Sequence, residues 1–264
     1  MSFCSLDIKG VILDITGVLF ESGEMKEIPG SIDAVKKLKD SNISVRFCTN
    51  ETSKTRQMLI QKLQSIGFSV TENEVFPPIP AVCQILKSRG LRPYLVVNHN
   101  CLPDFSGVSQ ENPNCVVLGD ATENFSYQNL NKAFHVLMSL EKPILFSLGK
   151  GKYYREGQDL TLDVGPYMKA LEYACDIEAE IVGKPSNAFF NAVLQDMGQP
   201  AESVVMIGDD IMSDVGGAQA CGMRGVQVRT GKYRVSDENH PTVKPNGYVD
   251  NLAQAIDMIL ESKS

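Results

Sequence analysis

The chain has 264 residues, 43% of them hydrophobic and 22% charged, with a net charge of -7 at neutral pH. That length allows one large domain or two, at about 150 residues per domain, and the apolar content suits a sizeable core and excludes a disordered chain. The acidic balance argues against nucleic-acid binding, which needs a basic surface, but it leaves room for a phosphate ligand, because one lysine, backbone amides and a metal ion are locally positive in an acidic protein.

Seven cysteines, spread out and odd in number, never form a C-x-x-C pair. They fit neither a disulfide framework nor a zinc pattern, and the expectation is reduced thiols in a reducing compartment. Met1-Ser2-Phe3-Cys4-Ser5 has no basic region leading into an apolar segment, so no signal peptide is expected. No apolar run approaches the roughly 20 residues of a membrane span. The chain reads as cytoplasmic, with no membrane partner.

The first element is Val11-Ile12-Leu13, a short apolar run that delivers Asp14 and then Ile15-Thr16-Gly17. Runs of this length read as buried strands. Ser31 to Asp40 places Ile32, Val35 and Leu38 at helical spacing, Ser44 to Cys48 is a strand ending on Thr49-Asn50-Glu51, and Leu59, Leu63 and Ile66 mark a helix stopped at Gly67. A strand–helix–strand–helix rhythm implies a parallel sheet with crossover helices. Phe76-Pro77-Pro78-Ile79-Pro80 then predicts a linker or hinge outside regular structure.

Beyond the prolines the alternation restarts. Ala81 to Arg89 is predicted helical, and Tyr94–Val97, Cys115–Leu118 and Ile144–Leu148 are predicted strands, with a helix through Leu130, Phe134, Leu137 and Met138. Gly149 to Gly157 is basic and turn-rich; its charges read as a solvated hairpin. A helix from Pro166 to Cys175 closes this segment, and Glu180 to Pro185 leads to a helix with Phe189, Phe190, Val193, Leu194 and Met197. Val204 to Ile207 is a second apolar run ending on aspartate, at Gly208-Asp209-Asp210. A short helix from Asp214 to Cys221, a strand at Gly225–Val228 and a helix from Asn251 to Ser262 complete the chain. The expected fold is α/β: a doubly wound, Rossmann-like parallel-sheet core, formed by residues 1–78 and 182–264, with an inserted larger α/β cap at 79–181.

Four loops share one property, since each directly follows a predicted core strand: Asp14-Ile15-Thr16, Thr49-Asn50, Lys184-Pro185, and Asp209-Asp210 with Asp214 four residues on. In a parallel sheet such loops lie along one edge and can share one site. Phosphoryl transfer needs this combination of groups. A carboxylate can attack phosphorus and split one hard step into two, while Thr49, backbone amides and Lys184 can hold the phosphoryl oxygens. Carboxylates on separate loops can hold Mg²⁺. Taken singly, Thr49 reads as a helix cap and Asp214 as a carboxylate at a helix N-terminus, while Lys184 reads equally as a surface charge or a functional cation; together with two aspartate-terminated strands, they read as a site.

These four motifs, in this order and spacing, resemble those of the haloacid-dehalogenase-like phosphatases, and the insertion is similar to that family's larger α/β cap. Further stretches, Arg46 to Glu51, Arg92-Pro93-Tyr94, Leu162 to Glu172 and Met206 to Asp210, resemble the branch of the family that acts on pyrophosphate and on the P–N bonds of phosphohistidine and phospholysine. The resemblance implies Mg²⁺-dependent hydrolysis, a cytosolic and nuclear location and a homodimer. It further implies Asp14 as nucleophile and metal ligand, Thr16 as a metal ligand through its carbonyl, and Asp209 as the second metal carboxylate. Asp14, Ile15, Thr16, Thr49, Asn50 and Lys184 would contact the substrate, with Asp210 and Asp214 supporting the metal from behind. Most phosphatases of the family carry aspartate where this chain has Thr16, and a hydroxyl is no proton donor of useful pKa. Open alternatives are a phosphatase for small phosphate monoesters, and a phosphorelay-receiver-like or catalytically weak binding protein.

Overall fold

A computed structural model describes residues 7–21, 26–156 (155 and 156 by backbone alone) and 159–262; Met1–Ser5, with Cys4, and Gly157 fall outside them. The first part of the chain forms β1 (Gly10–Asp14), α1 (Ser31–Lys39), β2 (Ser44–Cys48), α2 (Arg56–Ile66) and β3 (Val75–Phe76). There follow α3 (Pro78–Ser88), β4 (Pro93–Val96), β5 (Cys115–Leu118), α4 (Tyr127–Met138), β6 (Leu145–Ser147), β7 (Tyr153–Glu156), β8 (Asp159–Leu162), α5 (Val164–Cys175) and β9 (Glu180–Ile181). The last part forms α6 (Asn187–Met197), β10 (Val204–Gly208), a π-helical turn (Ile211–Gly216) running into α7 (Gly217–Ala220), β11 (Arg224–Val228), β12 (Gly247–Val249) and α8 (Leu252–Glu261).

Six strands make an all-parallel core sheet in the order β12-β11-β10-β1-β2-β3. β1 and β10 are buried along their whole length, which is why both read as unbroken apolar runs rather than alternating ones. Successive side chains still point to opposite faces. Val11, Leu13, Val205 and Ile207 pack with Val35, Leu38, Ile256 and Ile259 from α1 and α8, whereas Ile12 and Met206 pack with Phe190, Val193 and Met197 from α6. The strands run outward from β1 in both directions, to β2 and β3 on one side and to β10, β11 and β12 on the other. That reversal makes a crevice beyond the carboxyl ends of β1 and β10, the place where open α/β sheets bind ligands.

The insertion is a second layered unit. Its sheet has the order β4-β5-β6-β9, all parallel, and β7 pairs with β8 as an antiparallel hairpin. One face packs Ile79, Val82 and Leu86 of α3 against Val117 and Phe146. The other packs Ala133 and Leu137 of α4 and Met168 and Leu171 of α5 against Val116, Leu118 and Leu145. The doubly wound core with an α/β cap is the fold the periodicity predicts. Among the described residues no helix is long and apolar enough to cross a membrane.

The elements differ from expectation in several places. The prolines do not interrupt regular structure: Phe76 ends the edge strand β3, Pro77 is the N-cap of α3, and Pro78 and Pro80 sit in its first turn. Amides there have no intrahelical acceptor, so losing them costs nothing. Helix α5 starts two residues early, at Val164, because the Asp163 carboxylate accepts from the Val164 amide and caps it. The helical segment expected from Asp214 starts at Ile211 with a π turn, capped by Asp210 through the amides of Met212 and Ser213. β3 and β12, at two and three residues, are too short to leave a pattern.

Ile207 is fully buried in a strand flanked by β1 and β11. Ile207→Ala is expected to cost about 2–5 kcal/mol of stability through the cavity it leaves, a loss read from the shift in chemical denaturation.

Candidate active site

Asp14 is the last residue of β1, and Asp209 is the first residue beyond β10. The parallel register sets Leu13 beside Ile207, so both carboxylates emerge side by side at one edge. Gly17 then turns the chain with φ +91°, and a Cβ there would lie 2.1 Å from Asp209 Oδ2. Gly231, with φ +60°, would place one 2.0 Å from the same oxygen. Two glycines thus leave the space that Asp209 fills, and the Lys232 amide donates to Asp209 Oδ2 at 2.7 Å. One carboxylate oxygen each from Asp14, Asp209 and Asp214 lie within 4.8 Å of one another.

Lys184 reaches this edge by a different route from the one its sequence position suggests. The strand before it, β9, belongs to the cap sheet, so Lys184 does not follow a core strand but lies on the return crossover into the core. Gly183, φ +127°, makes the turn. The Asn50 side chain then clamps the Lys184 main chain twice, accepting from its amide and donating to its carbonyl, both at 2.8 Å. The Lys184 ammonium meets Asp14 Oδ1 at 2.5 Å, Asp214 Oδ1 at 2.7 Å and the Cys48 carbonyl at 3.1 Å. Those contacts match the three donors of an ammonium.

Burial and mutual repulsion govern the electrostatics. Burial, with Asp14 alongside, pushes the Asp209 carboxyl well above the usual carboxylate range. Burial likewise raises Asp214 to about 7, with Lys184 opposing and Asp14 adding to the rise. Lys184 itself is held above its usual value: burial works against its charge, but Asp14 and Asp214 together outweigh it. Four aspartates (14, 209, 210 and 214) thus meet two lysines (184 and 232). A dense set of oxygen donors short of positive charge fits a hard divalent cation.

A cavity of about 430 Å³ opens above this edge, lined by core residues that include Asp14, Thr16, Thr49, Asn50, Lys184, Asp209, Asp210 and Asp214, and by cap residues that include Asp120, Tyr154 and Asp163. The structure therefore brings together eight of the nine residues singled out from sequence. Ile15 is the exception; its side chain is fully buried in the core, and it is absent from the cavity lining. Thr49 caps no helix: its hydroxyl accepts from the Glu51 amide at 3.0 Å. Asp210 is the π-turn cap, and Asp214 Oδ2 accepts from the Asp210 amide. The hairpin reading of the basic stretch holds, yet Gly149, Gly151 and Tyr154 also line the cavity.

Sequence reasoning missed Lys232, Asp120 and Asp163. The rule applied to the other loops, that residues just past a parallel strand share one edge, would have found Thr230-Gly231-Lys232 beyond β11. No comparable signal marks the cap residues, because their approach depends on how the cap sits over the core.

Asp120 carries a pH prediction. Burial first, then Asp163 and Glu51, raise its carboxyl from 3.8 to about 6. Between those values the folded state binds more protons than the unfolded chain, so this group's contribution to stability falls as pH rises through the window. Asp120→Asn, which keeps the shape and removes the charge, is expected to melt higher than the unmutated protein at pH 7.5. The gap should close on acidification to pH 4 in a thermal-melting series.

Comparison with known proteins bears on the same residues. The model of the family described as haloacid dehalogenase-like hydrolase matches residues 11–109, and a second, described as HAD-hydrolase-like, matches residues 181–255. The chain is 60% identical over 256 residues to the phospholysine phosphohistidine inorganic pyrophosphate phosphatase of Homo sapiens, covering 96% of this chain and 95% of that one. It is 59% identical over 258 residues to the protein of the same name from Danio rerio, covering 97% and 96%. Its fold matches the crystal structure of a 4-nitrophenylphosphatase from Thermotoga maritima with a TM-score of 0.86, over 96% of this chain and 98% of that one, at 24% identity.

Proposed function

The chain belongs to the haloacid-dehalogenase-like hydrolases and is a phosphatase; from that premise we propose that it hydrolyses inorganic pyrophosphate and the P–N bonds of phosphohistidine and phospholysine, with Mg²⁺ as cofactor. The observation that carries this reading is Asp14 at the floor of the cavity, oriented by Lys184 at 2.5 Å. An Asp14 oxygen attacks phosphorus, the bond to the leaving group breaks with its electron pair on that group, and an aspartyl phosphate results. Water then cleaves the acyl phosphate, releasing orthophosphate and restoring the carboxylate.

Each residue takes a role its position supports. The Thr49 hydroxyl and neighbouring main-chain amides hold one phosphoryl oxygen, and Lys184 neutralises another. The Asn50 side chain is engaged with the Lys184 main chain, so any contact of Asn50 with phosphate comes from its own main chain, as does any from Ile15. Asp14, Asp209 and the Thr16 carbonyl would hold the cation, whose charge would let an anionic substrate approach a carboxylate. Asp210 and Asp214 orient that set, with Asp214 engaged by Lys184 and by the Asp210 amide. The cap (79–181) closes over the edge and excludes water. A homodimer and a cytosolic and nuclear location complete the reading, supported by the family likeness alone.

Thr16 narrows the leaving group. General acid help is typically worth about 10²–10⁴-fold. An alkoxide needs that help, whereas phosphate departing from pyrophosphate, or a nitrogen already protonated, needs little. Thr16 therefore biases the site toward good leaving groups.

Two measurements test this function. Steady phosphate release from pyrophosphate with Mg²⁺ is expected, dropping by at least about 10³-fold in Asp14→Asn; near-normal turnover by that variant would remove Asp14 from the chemistry, and a single turnover would favour a receiver-like module. Thr16→Asp is expected to raise turnover of an alkyl phosphate relative to pyrophosphate, and an unchanged ratio would end the leaving-group argument.

A further inference from the structure

Lys184 and Lys232 both line the cavity that holds Asp14, but they are held differently. The Lys184 side chain is 3% exposed, its ammonium buried against Asp14, Asp214 and the Cys48 carbonyl. The Lys232 side chain is 44% exposed, it lines the cavity, and its ammonium lies 3.8 Å from Asp210 Oδ2, too far for a hydrogen bond. Burial works against its charge, but Asp209, Asp210, Asp14 and the cap's Asp163 together hold its pKa above the usual lysine value. Lys232 is thus an accessible cation placed between the metal-side carboxylates and the cap.

The loop that carries it is held at three points. The Thr230 hydroxyl donates to the Gly17 carbonyl at 2.5 Å, the Lys232 amide donates to Asp209 Oδ2 at 2.7 Å, and Arg234 bonds the Tyr153 hydroxyl of the cap hairpin, its guanidinium carbon 5.0 Å from that ring. A cation on a loop anchored to nucleophile turn, carboxylate and cap is organised before a ligand arrives, which lowers the ordering cost of binding. Two other lysines line the cavity, but Lys54 lies 3.5 Å from Glu51 and Lys62 stands 4.0 Å over the Phe20 ring.

We infer that Lys232 receives the departing phosphate of pyrophosphate and so helps set which leaving groups this site accepts. The inference rests on the reading that pyrophosphate is a substrate. A group leaving opposite Asp14 moves from the floor of the cavity toward the cap, and Lys232 stands at that seam. When the Asp14 oxygen forms its bond to one phosphorus, the bridging P–O bond breaks and its electron pair stays on the second phosphate, where the charge grows. Lys184, 3% exposed and held between Asp14 and Asp214, is committed to the phosphoryl group that Asp14 attacks. A departing nitrogen gathers no such anionic charge, so the same lysine offers a phosphoramidate little.

The test compares kcat/KM for pyrophosphate and for a small phosphoramidate, imidazole phosphate, in Lys232→Met and Lys232→Arg. Both substitutions keep the backbone amide that holds Asp209. Loss of a charge-assisted contact is expected to lower the pyrophosphate-to-phosphoramidate ratio by about 10–100-fold in Lys232→Met, with Lys232→Arg recovering most of it. Phosphoramidate turnover by Lys232→Met also reports that the variant is folded. A ratio unchanged in Lys232→Met, including a parallel fall on both substrates, overturns the inference while pyrophosphatase activity stands. Absence of pyrophosphate turnover in the unmutated protein overturns the substrate reading and this inference with it.

Discussion

The contact on which most of this structure depends is the ammonium of Lys184 between the carboxylates of Asp14 and Asp214. All three side chains are almost sealed from solvent, and taking charges out of water costs several kcal/mol per ion unless geometry and further hydrogen bonds compensate, as an order of magnitude. The surroundings meet that requirement. The Cys48 carbonyl takes the third ammonium proton, Asn50 fixes the lysine main chain from both sides, and the Asp210 amide holds the far oxygen of Asp214. Each partner comes from a different segment: β1, β2, the return crossover and the π turn. The ion pair network therefore ties four separate stretches of chain at one edge.

The same network joins catalysis to the cap. Lys184 is delivered by the segment leaving the cap sheet, so the strand that closes the cap also positions a cation on Asp14. The loop after β2 meets the cap again at Thr52, whose hydroxyl accepts from the Asp120 amide at 2.8 Å and whose carbonyl accepts from the Cys101 thiol at 3.0 Å. Farther along, the Arg56 amide donates to Asp104. On the opposite side the cap hairpin reaches Arg234, two residues past Lys232. The cap thus rests on the two loops that frame the edge above Asp14.

Charge balance explains why the cavity suits a divalent cation. Without one, Asp209 and Asp214 are driven toward protonation by burial and by Asp14, and an anionic substrate would meet a carboxylate-rich wall. A divalent cation among them would neutralise the same oxygens and admit an anionic ligand. The space for Asp209 is cut by Gly17 and Gly231, so the metal side is shaped by backbone as much as by side chains.

Much of this was legible in the chain itself. Two apolar runs ending on Asp14 and Asp209 announce buried parallel strands and the edge they share, because period and burial are local properties of sequence. The motif set named eight residues that the fold brings to one cavity, and the helix after the prolines was legible from Ala81, although its first turn, at Pro78–Pro80, was read as a linker. Other features were decided only by tertiary structure. That Lys184 arrives from the cap rather than from a core strand depends on which sheet takes up β9, a two-residue strand with no pattern of its own. That Asn50 serves the lysine main chain, that Lys232 faces the cavity, and that Asp120 and Asp163 complete its wall follow from packing between segments far apart in the chain. Sequence determines which strands are buried and which residue types end them. The distances among those ends, and therefore which lysine is buried among the carboxylates and which is exposed to the cavity, exist only once the cap is seated on the core.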